Sequence, residues 1–378
     1  MRTIADFFQK SPVDWVLFLS TVPLLGAGLF TMDSFIDTSN YFFSRQLIWI
    51  AVSVGIFFLF STVDWRFLKR TDVLMALFFF AIGFLLLLFI AGYVAKGAQS
   101  WFRLGSFSFQ PSDPVKLLVI FILAKYFSRR HIEIAHIRHI LVSGFYVFVP
   151  FVLVFLQPDF GSAVIIFFIW LGMIMVSGVS KKHLALVAFI GALSFMLLWS
   201  FVFAPYQKDR ILTFVNPLTD LEGAGYNARQ SVIAVGSGGL FGKGVGFGTQ
   251  SRLKFLPEYE TDFIFAAFAE EWGFVGAGIL FFLFALIMWR IIRIAMHGAS
   301  NFETLFAAGF AIFLMSHVAI NIGMNVGILP VTGIPLPFMS YGGSHLVTEF
   351  AGLGILMGMR RYARAAHRED VANEIVGV

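Results

Sequence analysis

At 378 residues, with 58% apolar and only 13% charged positions, the chain cannot cover its own surface with polar groups, because soluble domains run at roughly 45–50% and about 25%. The 49 phenylalanines and a mean hydropathy of +0.84 make lipid the solvent for most of that surface, which excludes a soluble enzyme, a nucleic-acid module and a disordered scaffold. The net charge of +5 arises without a basic run, as expected for positive loops on one membrane face, and the absence of cysteine excludes disulfides and thiolate chemistry.

A helix needs roughly 20 residues to cross a hydrocarbon core of about 30 Å, and its backbone must satisfy itself there. Taken in chain order, stretches free of charge and histidine predict spans at 15–32, 46–63, 73–95, 140–158, 160–180, 184–207, 272–289 and the start of 304–348. Two weaker candidates carry charge: 112–128, with Asp113, Lys116 and Lys125, and 343–360, with His345 and Glu349. The predicted fold class is therefore an all-α polytopic integral membrane protein of ten transmembrane helices. It forms a single domain over 1–378, with a large extracytoplasmic loop at 205–262 between the seventh and eighth spans.

Ten spans place both termini on one side. Alternate assignment of the loops puts most Lys and Arg on that side, among them Arg66, Lys69, Arg70, Lys125, Lys181, Lys182, Arg290, Arg293, Arg360 and Arg361. The termini are accordingly expected in the cytoplasm. The first apolar segment lacks a small-residue cleavage site and reads as a retained span. Two further external segments, 96–112 and 329–342, are rich in Gly, Pro, Ser and aromatics. No repeat of 20–50 residues is visible, which argues against an inverted-repeat transporter.

Carboxylates at membrane depth are costly and mark function by default. Asp159 interrupts a long apolar stretch within QPDFG; it reads as the N-cap of span six, as a cation ligand facing the outer cavity, or as both. Asp113 and Lys116 stand at i and i+3, a pair on one helix face that either fixes the helix or holds a substrate phosphate. Upstream, Lys96 and Arg103 lie among Trp101, Phe102 and Phe109, the composition of an interfacial loop beside a lipid headgroup.

Asp262 ends the long loop in FLPEYETDFIFA. Phe263 and Phe265 would lower the local dielectric and Glu258 and Glu260 add like charge, and both effects raise a carboxylate toward general-base range. The alternative is another N-cap. Glu270 is placed about two turns deeper, pointing into the same cavity. His131, His136 and His139 read as part of a solvated basic loop. The segment GSGGLFGKGVGFGTQ lacks Walker A spacing and is predicted outside, so no nucleotide is expected; its Lys243, with Arg229 and Arg252, could meet a pyrophosphate on a lipid carrier.

Together these motifs resemble the SEDS proteins of bacterial growth and division. KGAQ and QPSD, then QPDFGSA, GAGYNARQSVIAVGSGGLFGKG, GTQSRLKFLPEYETDFIFAAFAEEWGF and NIGMNVGILPVTGIPLPFMSYGGS stand in the family's order over nearly the whole chain. The GKG and GTQ elements and the short tails look more like the elongation branch, RodA, than the division branch, FtsW. The resemblance implies a peptidoglycan glycosyltransferase that polymerises lipid II outside the inner membrane. It places the essential Asp on Asp262 and further sensitive positions on Asp113, Lys116 and Asp159. It also implies a divalent cation, Mg2+ or Mn2+, with Asp262 and Asp159 as candidate ligands. Implied partners are a class B penicillin-binding transpeptidase and, in the elongation complex, MreC and MreD. A lipid II flippase is the alternative activity, and a recruiting scaffold a third. The chain departs from the family pattern in having Ser100 for Arg, Asp113 for Glu and Glu260 for His; one helical turn at 100–103 would let Arg103 stand in for the missing guanidinium.

Overall fold

The computed structural model describes residues 13–34, 41–95, 98–104, 107–129, 137–203, 205–216, 224–253, 255–298 and 300–376. In chain order the helices are α1 (Trp15–Asp33), α2 (Tyr41–Thr62), α3 (Thr71–Ala91), α4 (Ser112–Ser128), α5 (Ile137–Leu156), α6 (Phe160–Val176) and α7 (Lys181–Phe201), then α8 (Pro205–Val215), α9 (Ala224–Ser237), α10 (Thr249–Arg252), α11 (Ile264–Met296), α12 (Asn301–Asn325) and α13 (Gly343–Val376). Each of the ten segments predicted as a span is helical. Among the described residues, α1, α2, α3, α5, α7, α11 and α12 are long and apolar enough to cross a membrane, and α6 is a shorter apolar helix. The chain is an integral membrane protein.

α12 is the most deeply buried of these apolar helices. It packs on α4, α6 and α11, and α13 lies along α2. Phe306, Phe310 and Phe313 recur at i, i+4 and i+7 on α12 and are fully buried; Phe121 of α4 stacks on Phe306 with ring centroids 4.5 Å apart. Lipid is as apolar as the helices, so close approach of backbones replaces hydrophobic drive. Gly354 of α13 illustrates the point, since a methyl there would come within 2.7 Å of the Phe57 carbonyl oxygen of α2.

The end of the bundle at which α1 begins is tied by charge. The Asp14 side chain caps α1 by accepting from Leu17 N, and it also accepts from Arg290 of α11 and Arg360 of α13. Lys69 reaches Glu303 at 3.0 Å, and Lys125 donates to the Lys69 carbonyl.

Several expectations are corrected. In place of a helical turn at 100–103, Tyr93–Ala95, Ala98–Leu104 and Phe107–Phe109 form β1, β2 and β3, an antiparallel meander. The stretch 205–262 contains helices of its own, α8, α9 and α10, which its composition did not announce. α11 begins at Ile264 rather than near 272 and is broken at Gly273, whose φ of 66° and ψ of −164° are not helical. His139 lies in α5, buried, with Nδ1 2.9 Å from the Tyr126 hydroxyl.

Candidate functional site at the end of the bundle opposite Asp14

The site is organised by the segment 326–342, which leaves α12 and runs across the end of the bundle before α13 begins. A methyl at Gly161, two residues past Asp159, would meet the Thr332 carbonyl at 2.7 Å, and one at Gly333 would sit 3.5 Å from Asp262 Oδ2. The QPDFG turn and the Asp262 turn therefore border the same short stretch.

Asp262 is half-buried beside Phe263 and Phe265, which are 1% and 2% exposed. The alternative that it caps α11 is not realised, because Phe263 holds the cap position. The early N–H of Ala266 is satisfied instead by Asn325 Oδ1 at 3.1 Å, so the helix end has an acceptor from another helix. Asn321 Nδ2 and Asn325 Nδ2, one turn apart on α12, both donate to the Asp262 carbonyl at 3.0 Å, and Asn321 also donates to the Ile334 carbonyl at 2.7 Å. Ser340 Oγ donates to the Thr261 carbonyl at 2.6 Å and Tyr341 N to the Glu260 carbonyl at 2.8 Å. The backbone that carries Asp262 is thus bonded from two sides. Burial, with Tyr41 and Glu260 nearby, pushes the Tyr341 hydroxyl above its ordinary range.

Asp159 realises the capping reading. Its Oδ1 accepts from Ser162 N at 3.1 Å, while Oδ2 accepts from Gln110 Nε2 at 2.7 Å and Ser112 Oγ at 3.3 Å. Those three donors take three of the roughly four acceptor positions of the carboxylate. Among the described residues no group of three or more His, Cys, Asp or Glu side chains is arranged to hold a metal. The residues present do not by themselves make a hard-cation site.

Asp113 and Lys116 form the expected pair at 3.0 Å and are buried, with side chains 3% and 2% exposed. They are joined by residues that sequence reasoning noted only as charges in a weak span. His345 Nδ1 lies 3.6 Å from Asp113 Oδ1, and His345 Nε2 lies 2.8 Å from Glu349 Oε1. The His317 ring is 4.5 Å from that of His345, and its Nδ1 faces the Pro335 carbonyl at 3.3 Å. Glu349 Oε2 accepts from Phe338 N at 3.0 Å. The signal for the last pair was their i, i+4 spacing inside an apolar helix.

The remaining candidates divide. Arg229 is exposed on α9 and lines a cleft of about 270 Å³ with Phe214, Val232, Val326, Leu329 and Val331. Lys243 Nζ is instead 2.7 Å from Glu270 Oε1 and 2.8 Å from Thr249 Oγ1. Glu270 is fully buried and turned toward the glycine-rich loop, not toward Asp262: it also accepts from Thr249 N, Gln250 N and Ser251 N. Arg103 is exposed, 5.3 Å above the Tyr93 ring. Ser100 is 2% exposed on the same strand; residues three apart on a strand face opposite ways, so the helical-turn argument for compensation fails. Lys96 lies outside the described residues.

A polytopic helical protein with a half-buried carboxylate just before an apolar helix, and a buried charge cluster of Asp113, Lys116, His345 and Glu349, is the class this geometry defines. Residues 12–365 match the model of the FtsW, RodA and SpoVE family, described as "Cell cycle protein". The chain belongs to this SEDS family. It is 38% identical over 368 residues to the stage V sporulation protein E of Bacillus subtilis, covering 94% of this chain and 99% of that one. It is 41% identical over 273 residues to the peptidoglycan glycosyltransferase MrdB of Escherichia coli, covering 72% and 74%. Among solved structures it resembles a chain of a peptidoglycan synthase complex (TM-score 0.80, 29% identity, 93% and 98% covered). It also resembles the rod shape determining protein RodA of Thermus thermophilus (TM-score 0.69, 28% identity, 92% and 97% covered).

Proposed function

We propose that this chain is a peptidoglycan glycosyltransferase that joins lipid II disaccharide units into glycan strands for cell elongation. The observation that carries the reading is the placement of Asp262, with its backbone bonded to α12 and to 340–341 and its carboxylate beside the 332–334 stretch. The likeness to MrdB supports the activity, and the likeness to a rod shape determining protein supports the elongation role.

In this reading Asp262 accepts the proton of the 4-hydroxyl of the acceptor sugar as its oxygen bonds to the anomeric carbon of the lipid-linked donor. The bond from that carbon to the pyrophosphate breaks with inversion, and undecaprenyl pyrophosphate leaves with the electron pair. The leaving group is already activated, so one positioned base suffices. Arg229, beside an apolar cleft, is suited to the lipid-borne pyrophosphate. Asp113, Lys116 and Asp159 keep the walls of the site in place; Lys243 braces the glycine-rich loop through Glu270. A divalent cation would be held chiefly by phosphate oxygens and water, since the described carboxylates do not assemble a site of their own.

The protein is read as a single ten-span domain of the inner membrane, with cytoplasmic termini and an extracytoplasmic site. Its proposed partners are a class B penicillin-binding transpeptidase, MreC and MreD. The synthase complex to which one structural neighbour belongs supports a transpeptidase partner.

The test is reconstitution in vesicles with labelled lipid II, with and without the cognate transpeptidase and with and without excess chelator. Glycan chains that shorten or vanish with chelator are expected. Movement of lipid II across the bilayer without polymer would replace this reading by the flippase.

A further inference from the structure

We infer that His345 and Glu349 are positioning residues that fix the segment carrying the floor of the Asp262 site. The inference rests on the polymerase reading for its activity readout, and the contacts of Glu349 with His345 and Phe338 that it adds are not used by that reading. Glu349 is fully buried, and its two oxygens serve different masters: Oε2 accepts from Phe338 N at 3.0 Å and Oε1 lies 2.8 Å from His345 Nε2. The other ring nitrogen of His345 lies 3.6 Å from Asp113 Oδ1, which in turn holds Lys116 Nζ at 3.0 Å. Two carboxylates and one ammonium leave a net negative charge in a buried place, and a His345 imidazolium between the two carboxylates brings the set to neutrality.

Phe338 shows why the anchor is needed. Its φ of 62° puts a bulky non-glycine residue in the left-handed region, a conformation that persists only where surroundings over-determine it. Glu349 holds that N–H. Two and three residues further on, Ser340 and Tyr341 bond the carbonyls of Thr261 and Glu260. On the other side Asn321 ties Ile334 to Asp262. Release of Phe338 therefore shifts the frame on which Asp262 stands, without removing any group that meets substrate.

The experiment compares Glu349→Gln, whose amide oxygen still accepts from Phe338 N, with Glu349→Leu, which does not. The chain has no cysteine, so Ile328→Cys, at an exposed position of the 326–342 segment, takes in each background a single nitroxide label that reports the segment independently of catalysis. For Glu349→Leu the expected results are a more mobile spectrum and a kcat lowered at least about tenfold, with KM for lipid II within about twofold. Glu349→Gln is expected to keep the immobile spectrum and most of the rate. If Glu349→Leu does not fold, His345→Leu/Glu349→Leu removes both members without stranding a charge and is expected to give the same loss in kcat and the same mobile label. An unchanged spectrum in the Leu variants, or a Gln variant as impaired as Leu, overturns the inference. A wild type that makes no glycan leaves the label comparison standing and counts against the polymerase reading instead.

Discussion

Asp113 and Lys116 show how one pair of residues serves both stability and site. With side chains 3% and 2% exposed, neither charge can be left alone, and breaking a buried pair costs about 3–5 kcal/mol because the survivor stays uncompensated. Lys116→Met is expected to lower the melting temperature of the detergent-solubilised protein sharply. Asp113→Leu/Lys116→Leu should recover much of that loss while remaining inactive. Equal melting temperatures for Lys116→Met and wild type would mean that the pair contributes nothing to the fold. The pair was legible from its spacing alone. Its extension through His345 and Glu349 was not, because those residues lie more than 200 positions away in sequence, and only the packing of α13 on α4 brings them together.

The helices that cross apolar surroundings were legible because a run of uncharged residues is what such an element requires. The elements that failed are those whose partners are remote. β2 reads as a possible helical turn until β1 and β3 flank it, and pairing then reverses the face on which Arg103 lies relative to Ser100. α8 and α9 are amphipathic and short, so they do not announce themselves beside the spans. The glycine-rich loop is the clearest case. Its backbone wraps α11, with Lys243 N on the Glu270 carbonyl and Gly244 N on the Glu271 carbonyl. The wrap is possible only because α11 breaks at Gly273. A methyl there would meet Gly242 N at 2.2 Å, on a residue with φ of 66°. Gly273→Ala combines a left-handed backbone with a backbone clash and is expected to destabilise by at least about 1–3 kcal/mol. The measurable outcome is a fall in monodisperse yield and melting temperature, whereas wild-type behaviour would show that the loop does not depend on the break.

Across the protein, one end of the bundle gathers Asp14, Arg290, Arg360, Lys69 and Glu303, and the other gathers Asp159, Asp262 and the 326–342 segment. Excess Lys and Arg on the first end fits a cytoplasmic side. The cysteine-free chain makes that orientation testable. Phe67 between α2 and α3 and Val245 in the glycine-rich loop are both exposed. Val245→Cys is expected to react with a membrane-impermeant maleimide in intact spheroplasts, and Phe67→Cys only after permeabilisation. The reverse pattern would turn the protein over and place the site in the cytoplasm.

Everything in the proposed chemistry converges on the basicity of one carboxylate. Asp262→Asn keeps the size of the side chain and leaves untouched the backbone carbonyl that Asn321 and Asn325 hold, so the variant should insert and fold as wild type does. With labelled lipid II in proteoliposomes, Asp262→Asn should bind substrate and yield no glycan, a loss of at least about 10²–10⁴-fold for removal of a general base. Glycan made by that variant at a rate near that of wild type would contradict the assignment of Asp262 as the base.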